Sequence, residues 1–313
     1  MASRVGRLLF VVVVVSFFAF LLLDSAPGDP AVALAGLNAS DEVVAQVRAD
    51  LGLDEPFLQR YLTWLGNAVT GDFGDSYRTL GVSASSLIRK AIPNTLELMF
   101  LAQIMALMIS VPTAIAAARR PGGLLDRLSS SIAFAFLALP TFVLGIYLSY
   151  LLAVRLGWLP TVATDLPSLT SDPLGNLEQM FLPSLTLALG LVAVYLRLLR
   201  NDLVATLQED YVLLAQARGV PDRRILWRHA LRPSSLNLLT AIGLNTGALI
   251  GGTLIIEILF AIPGMGRLMV TGVFGEDYSV VLGAALVFTV GYVVVNFVVD
   301  LAYYLLDPRI RHA

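Results

Sequence analysis

The sequence predicts an all-α polytopic membrane protein with six transmembrane helices. Of its 313 residues, 57% are hydrophobic and only 14% are charged, whereas soluble domains carry about a quarter charged residues. Six apolar stretches come close to the roughly 20 residues that a helix needs to cross a bilayer. These stretches are 8–23, 95–118, 132–154, 180–199, 236–260 and 280–306.

The first apolar stretch follows a basic start, Arg4 and Arg7. A secretory signal peptide shares these features and is the competing interpretation. The stretch is longer than the roughly 7–15 apolar residues of a signal peptide, and no convincing small-residue cleavage site precedes Pro27. We therefore expect residues 1–27 to form a retained first transmembrane helix that starts in the cytoplasm.

Residues 28–92 form the longest polar segment and are predicted to be a helical extracytoplasmic loop. A helix over 41–51 is indicated by Ser40 as its N-cap and by Gly52 after its last turn. A second helix is expected to open at Pro56, because apolar residues then recur at helical spacing. The remaining residues, 93–313, are predicted to form a five-helix core, in which the third span carries Pro140 and Gly145.

The distribution of arginine predicts the orientation, because cytoplasmic loops carry an excess of Lys and Arg. With a cytoplasmic N-terminus, 14 of the 21 Lys and Arg residues fall on the cytoplasmic side. Most of the acidic residues then fall outside. Both termini and the loop 201–235 between the fourth and fifth spans are therefore expected in the cytoplasm.

The most distinctive part of that loop is segment 210–233, which we call the elbow. Its first half, 211–218, reads as a short helix that Gly219 ends. Pro221 suits the start of a second helix, in which Leu226, Trp227, Ala230 and Leu231 form an apolar stripe with arginines opposite. The pattern predicts a helix–glycine–helix docking surface. The alternative is a plain arginine-rich cytoplasmic loop, or one that touches anionic lipid.

Composition restricts the chemistry that this chain can perform. It has no cysteine, two histidines and a single lysine, Lys90, which lies in SSLIRKAIPN without a glycine loop. A Walker-type ATP site needs Gly-x-x-x-x-Gly-Lys-Ser/Thr, so any ATP hydrolysis must come from a partner. A membrane enzyme is disfavoured for the same reasons. Asp300, in the sixth span, is expected to be structural rather than a proton relay, which disfavours an ion-driven transporter working alone.

The fifth span offers the best candidates for a translocation pathway. Gly243, Gly247 and Gly251 recur every four residues, a spacing that allows close helix packing. Asn245 and Thr246 lie beside them at mid-membrane depth, where polar groups need partners or water. We take Asn245, Thr246 and Gly247 as candidate pathway residues, with ordinary helix packing as the alternative.

The elbow sequence DYVLLAQARGVPDRRILWRHALRP resembles the cytoplasmic "EAA" loop of binding-protein-dependent ABC importer permeases. The glutamate of that pattern falls at Leu213, a departure that is typical of the oligopeptide and dipeptide subgroup. Three further segments resemble the same subgroup: LGLDEPFLQRYLTWLGNAVTGDFGDSY with the preceding GDP, AIPGMGRL at 261–268, and LLDPRIR at 305–311.

The resemblance implies the chain's partners and its docking residues. The partners would be a second homologous permease, two ABC ATPase subunits that bind the ATP and Mg, an extracytoplasmic solute-binding protein and membrane lipid, without nucleic acid. The implied location is the inner membrane. The implied cargo is oligopeptides or dipeptides, with nickel, glutathione or oligosaccharide as alternatives. The implied ATPase-coupling residues are Asp210, Tyr211, Ala215, Ala217, Arg218, Gly219, Val220, Arg223 and Arg224.

Overall fold

The computed structural model describes residues 2–25, 29–36, 39–79 and 81–306. Within this part of the chain the protein is helical and has no β-strand, as predicted. The helices are α1 Ala2–Asp24, α2 Pro30–Ala35, α3 Asp41–Asp50, α4 Phe57–Val69, α5 Ala84–Ala118, α6 Leu124–Ala138, α7 Thr141–Leu148, α8 Pro173–Leu207, α9 Asp210–Ala217, α10 Asp222–Arg224, α11 Leu231–Leu259, α12 Met265–Phe274 and α13 Tyr278–Leu306. Two π-helical segments, Ser149–Arg155 and Ile225–Ala230, continue α7 and α10.

The chain divides into two compact units. The first comprises Met1–Thr95 and Pro263–Val294, and the second comprises Leu96–Ile262 and Val295–Ala313. Helices α1 to α4 and α12 belong to the first unit, and helices α6 to α11 belong to the second. Helices α5 and α13 each contribute to both units.

The first unit is held together by aromatic packing and by a buried aspartate. The rings of Phe17 and Tyr61 meet edge to face with their centroids 5.3 Å apart, and Tyr61 is only 3% exposed. Asp277, also 3% exposed, accepts hydrogen bonds from the Ser76 hydroxyl and from the backbone N–H of Val280, at 2.5 and 3.3 Å. A buried carboxylate is costly unless it is hydrogen-bonded, so these donors fix the segment around Ser76 to the start of α13.

The second unit is built around helix α8. Fifteen of the 35 residues of α8 are buried, and α6, α7 and α11 pack against it. The helix contains Pro183 in its interior. Because proline has no N–H, the carbonyl of Gln179, four residues earlier, loses its usual donor. Three residues after the proline, the Thr186 hydroxyl donates to the carbonyl of Leu182 in its own helix at 2.8 Å.

By length and composition, four helical stretches in the described residues can cross a membrane. They are Ala84–Ala118, Pro173–Leu207, Asp222–Leu259 and Tyr278–Val299. The bent pair formed by α6 and α7 would add a fifth, and Leu9–Asp24 in α1 is a shorter apolar helix. The apolar helical architecture is thus confirmed, while the count of six spans stays a prediction.

The third predicted span, 132–154, is wrong as a single straight helix. The chain bends by 108° between α6 and α7. The bend lies at Leu139, whose ψ of 133° is extended, and at Pro140, which caps α7. A proline disfavours the helical region for the residue before it, so Pro140 is the sequence signal for this break.

Several helix boundaries also differ from the predictions. Helix α5 begins at Ala84, so the polar segment 28–92 ends in helix rather than in loop. Ser40 occupies the N-cap position of α3 but makes no side-chain capping bond. Gly52 follows that helix with φ of +64°, as predicted. Residue 28 lies outside the described residues, as do positions 307–311 of the predicted segment 305–311. The side chain of Asp300 is also outside the described part of the structure.

Candidate functional site: the elbow between helices α8 and α11

The first arm of the elbow is helix α9. It begins after Glu209 and ends at Ala217, followed by Gly219 with φ of +76°. The N–H of Gly219 bonds to the carbonyl of Gln216 at 2.9 Å, and the N–H of Val220 bonds to that of Ala215 at 3.1 Å. This paired termination needs a left-handed residue at the glycine position. Gly219 therefore stops the helix as predicted.

The second arm differs from the prediction, because it is not a separate helix. Pro221 caps α10, and the chain then runs through the π-helical segment Ile225–Ala230 directly into α11. Together these elements form one 38-residue helical stretch, Asp222–Leu259. Between Asp222 and Pro233 the sequence has neither glycine nor proline, so nothing ends the helix.

Pro233 gives a physical reason for the π-helical segment. In an α-helix its ring would meet the carbonyl of the residue four positions earlier, His229, and it has no N–H to offer that carbonyl. A π-turn widens the backbone at such a place. The segment ends at Ala230, three residues before the proline. The carbonyl of His229 is thereby left without its usual backbone donor.

A side chain from the first arm supplies the missing donor. The hydroxyl of Tyr211 donates a hydrogen bond to the carbonyl oxygen of His229 at 3.1 Å. Burial and the nearby Glu209 carboxylate raise the pKa of Tyr211 above its usual value of 10.0, so the hydroxyl keeps its proton at neutral pH. This bond joins the two arms across the turn at Gly219.

The base of the elbow is fixed to the ends of the neighbouring long helices. The hydroxyls of Thr206 in α8 and Ser234 in α11 lie 3.0 Å apart. The amide of Asn237 donates to the carboxylate of Asp202, also at 3.0 Å. Val212 of the first arm is fully buried. These contacts make the elbow a rigid extension of α8 and α11.

The outer surface of the elbow combines exposed apolar side chains with cations. Tyr211, Leu213, Leu214 and Trp227 are each about half exposed, between 48% and 54%. The exposed cations are Arg218, Arg223, Arg224, Arg228 and Arg232. Monomeric soluble surfaces rarely expose grouped large apolar residues without a function. The arrangement suits binding of a protein surface that offers an apolar groove with acidic groups at its edge.

The coupling residues named from the sequence are all located on this elbow. Asp210, Tyr211, Ala217, Arg218, Gly219, Arg223 and Arg224 are exposed, whereas Ala215 and Val220 are half-buried. Sequence reasoning missed Leu214, whose exposure was hidden among the apolar residues of a short helix. It also grouped Trp227 with Leu226 and Ala230 in one apolar stripe, whereas Leu226 and Ala230 are buried and Trp227 is exposed.

Of the candidate pathway residues, Thr246 belongs to a polar network between helices, whereas Asn245 bonds within its own helix. Thr246 accepts a hydrogen bond from the amide of Gln103 in α5 at 2.8 Å, and the hydroxyl of Tyr195 in α8 donates to the Gln103 carbonyl at 2.8 Å. Asn245 donates to the carbonyl of Ala241 in its own helix at 2.7 Å. The residues that join three helices are therefore Gln103, Tyr195 and Thr246, of which sequence reasoning found only Thr246.

The glycines of α11 do not form one continuous packing face. A Cβ added at Gly243 would lie 2.4 Å from a methyl group of Val299, so α11 and α13 approach closely there. Gly247 is buried. Gly251 is exposed, with no atom within 4 Å of such a Cβ. The close-packing interpretation holds for Gly243 and does not hold for Gly251.

Replacing Tyr211 with Phe is expected to loosen the elbow without unfolding the membrane helices. The change removes one hydrogen bond, worth about 1 kcal/mol, so amide exchange in 210–230 should quicken by about fivefold to tenfold through local opening. Hydrogen exchange by mass spectrometry on the full chain measures this. Tyr150→Phe, which removes a hydroxyl bonded to Arg155, is the matched control. Unchanged exchange in 210–230 would show that the bond does not hold the arms together.

Family models match almost the whole chain. Residues 110–312 match the model of the binding-protein-dependent transport system inner membrane component. Residues 1–99 match the model of the N-terminal part of the same membrane components. These matches confirm the family resemblance inferred from the elbow and from the polar segment 28–92.

Curated relatives cover nearly the full length of the chain. The oligopeptide transport system permease protein AppB of Bacillus subtilis is 35% identical over 95% of this chain and 94% of its own length. A probable peptide ABC transporter permease of Sinorhizobium fredii, y4tP, is 34% identical over 99% of this chain and 98% of its own length. The glutathione transport system permease protein GsiC of Escherichia coli K12 is 36% identical over 96% and 94%.

A solved structure shares the fold. The inward-facing MetNI methionine ABC transporter contains a chain that superposes with a TM-score of 0.58 at 16% identity, covering 71% of this chain and 96% of that one. With family models over both parts of the sequence and relatives above 30% identity, the chain belongs to the family of inner membrane components of binding-protein-dependent transport systems.

Proposed function

We propose that this chain is a permease subunit of an ATP-driven importer of peptides, coupled to its ATPase through the elbow. The observation that carries the proposal is the elbow itself, a rigid surface with exposed apolar and cationic groups that continues without a break into a membrane helix. An element of this kind transmits a push or a pull from a bound partner to the membrane interior. The names of the relatives support peptides as cargo.

The proposed complex contains a second permease, two ATPase subunits and an extracytoplasmic binding protein. ATP and Mg belong to the ATPase subunits, since the single lysine of this chain lies outside any P-loop. The distribution of arginine supports a cytoplasmic location for both termini and for the elbow. We also retain six spans as the proposed count, with α1 and the bent pair of α6 and α7 as two of them.

Glutathione is the second cargo to consider, because the relative GsiC is named for its transport. Glutathione is itself a small peptide, so the two proposals share one chemical class. Within this class the external binding protein is expected to set the preference. Measuring which peptide the binding protein retains would separate them.

Replacing Gly219 with Val is expected to uncouple ATP hydrolysis from uptake. A left-handed backbone costs a β-branched residue about 1–2 kcal/mol, so the turn between the arms should open. Peptide transported per ATP hydrolysed should fall by about tenfold, a factor that corresponds to about 1.4 kcal/mol. The measurement is paired uptake and hydrolysis by the reconstituted transporter.

Gly157→Val is the matched control for that variant. Gly157 also has a positive φ, +64°, and a Cβ added there meets nothing within 4 Å, but it lies in the loop predicted to be external. The control should transport with wild-type coupling. Normal coupling in Gly219→Val would count against a role of the elbow in transmission.

Asn245, Thr246 and Gly247 are retained as the proposed pathway residues of α11. If Asn245 contacts the cargo, Asn245→Leu should lower uptake at normal abundance, and the ratio of transport to hydrolysis should change less than in Gly219→Val. Thr240→Val is the control, since Thr240 also hydrogen-bonds a carbonyl of its own helix, at 3.1 Å. Wild-type uptake by Asn245→Leu would remove this residue from the pathway.

A further inference from the structure

A groove of about 190 Å³ lies between α6 and α8, away from the elbow and from the candidate pathway. Its mouth is polar, with Ser130 on α6 and with Arg197 and Asn201 on α8. Its floor is apolar and includes Ala133 and Ala193. Both alanines are buried, at 5% and 0% exposure, and their small side chains leave the space between the helices open.

The mouth of the groove lies at the level expected for lipid headgroups. In α8, residues 180–196 carry no charge, and Arg197 is the first cation after them. Seventeen helical residues span about 25 Å at a rise of about 1.5 Å each, which is close to the roughly 30 Å of a bilayer hydrocarbon core. Helix α6 changes from serines at 129–131 to apolar residues from Ile132 onward.

The two arginines of the groove differ in their partners. Arg200 forms a two-pronged ion pair with Asp126, with N–O distances of 2.6 and 2.9 Å, so its charge is compensated. Arg197 makes no ion pair within the residues that the structure describes. Its guanidinium lies over the ring of Phe134, 5.9 Å from the centroid. Among the described residues, the groove therefore carries one positive charge without an acidic partner, placed over the Phe134 ring.

The groove is open toward the apolar side of the membrane helices. Phe134 and Leu137, which border it on α6, are 57% and 43% exposed. A guanidinium with hydroxyl and amide donors matches the oxygens of a phosphate. The apolar floor below it matches a hydrocarbon chain. A free phosphate would use only the first of these features.

We propose that this groove binds one anionic phospholipid, whose phosphate accepts hydrogen bonds from Arg197 and whose acyl chain lies along Ala133 and Ala193. Basic pockets between membrane helices are recognised sites for anionic headgroups. A zwitterionic lipid is disfavoured, because none of the described residues that line the groove is acidic and could pair with its ammonium group. The inference goes beyond the transport function and does not depend on the identity of the cargo.

The test is native mass spectrometry of the full chain in detergent, titrated with phosphatidylglycerol or with phosphatidylcholine of identical acyl chains. For the first lipid molecule bound, the dissociation constant of the wild type should be about tenfold lower for phosphatidylglycerol than for phosphatidylcholine. Arg197→Gln should remove that preference. Arg197→Lys, which keeps the charge, should recover much of it. Arg127→Gln removes an exposed cation on α6 that does not line the groove, and it should behave as the wild type.

Four results would overturn the proposal. The first is equal binding of the two lipids by the wild type, and the second is an unchanged preference in Arg197→Gln. The third is displacement of phosphatidylglycerol by inorganic phosphate in excess, which would show a site for phosphate alone. The fourth is loss of the preference in the assembled transporter, which would show that a second permease subunit covers the groove.

Discussion

The proposed coupling between the elbow and the membrane depends on the continuity of the helical stretch Asp222–Leu259. In hydrocarbon every backbone N–H and C=O must be hydrogen-bonded within the protein, so a membrane helix resists bending and moves as a body. Here the same helix also forms the second arm of the elbow. Pro233 would normally break it, and the π-helical segment lets the helix continue past the proline. Because Pro233 has no N–H to donate to the carbonyl of His229, that carbonyl accepts a hydrogen bond from the hydroxyl of Tyr211.

Inside the second unit the same helix is connected to its neighbours by a small number of specific contacts. The polar chain from Tyr195 through Gln103 to Thr246 joins α8, α5 and α11. Buried polar networks are costly when any member loses its partner, so these helices are expected to keep their contacts as they move. The close approach of Gly243 to Val299 adds a packing constraint on the side of α13.

The sequence predicts those features that depend on neighbouring residues. The stop at Gly219 could be predicted, since a left-handed turn after a helix favours glycine. The family could also be inferred, because its motifs are contiguous. The bend at Pro140 and the continuity of the second arm could not be predicted from the apolar pattern. Each depends on whether a proline ends the helix or is accommodated within it, and the spacing of apolar residues does not distinguish these outcomes. Gln103 was missed because its partners lie 92 and 143 positions away.

The most direct test of the central claim places a single cysteine on the outer surface of the elbow. The chain has no cysteine of its own, so Leu214→Cys, at a position that is 51% exposed, gives one reactive site. A short reagent that joins a thiol to a neighbouring lysine amine is then applied to the assembled transporter, with Ser171→Cys in the predicted external loop as the background control. The account predicts a covalent product between Leu214→Cys and an ATPase subunit. Labelling of that cysteine without any such product, in an active complex, would contradict it.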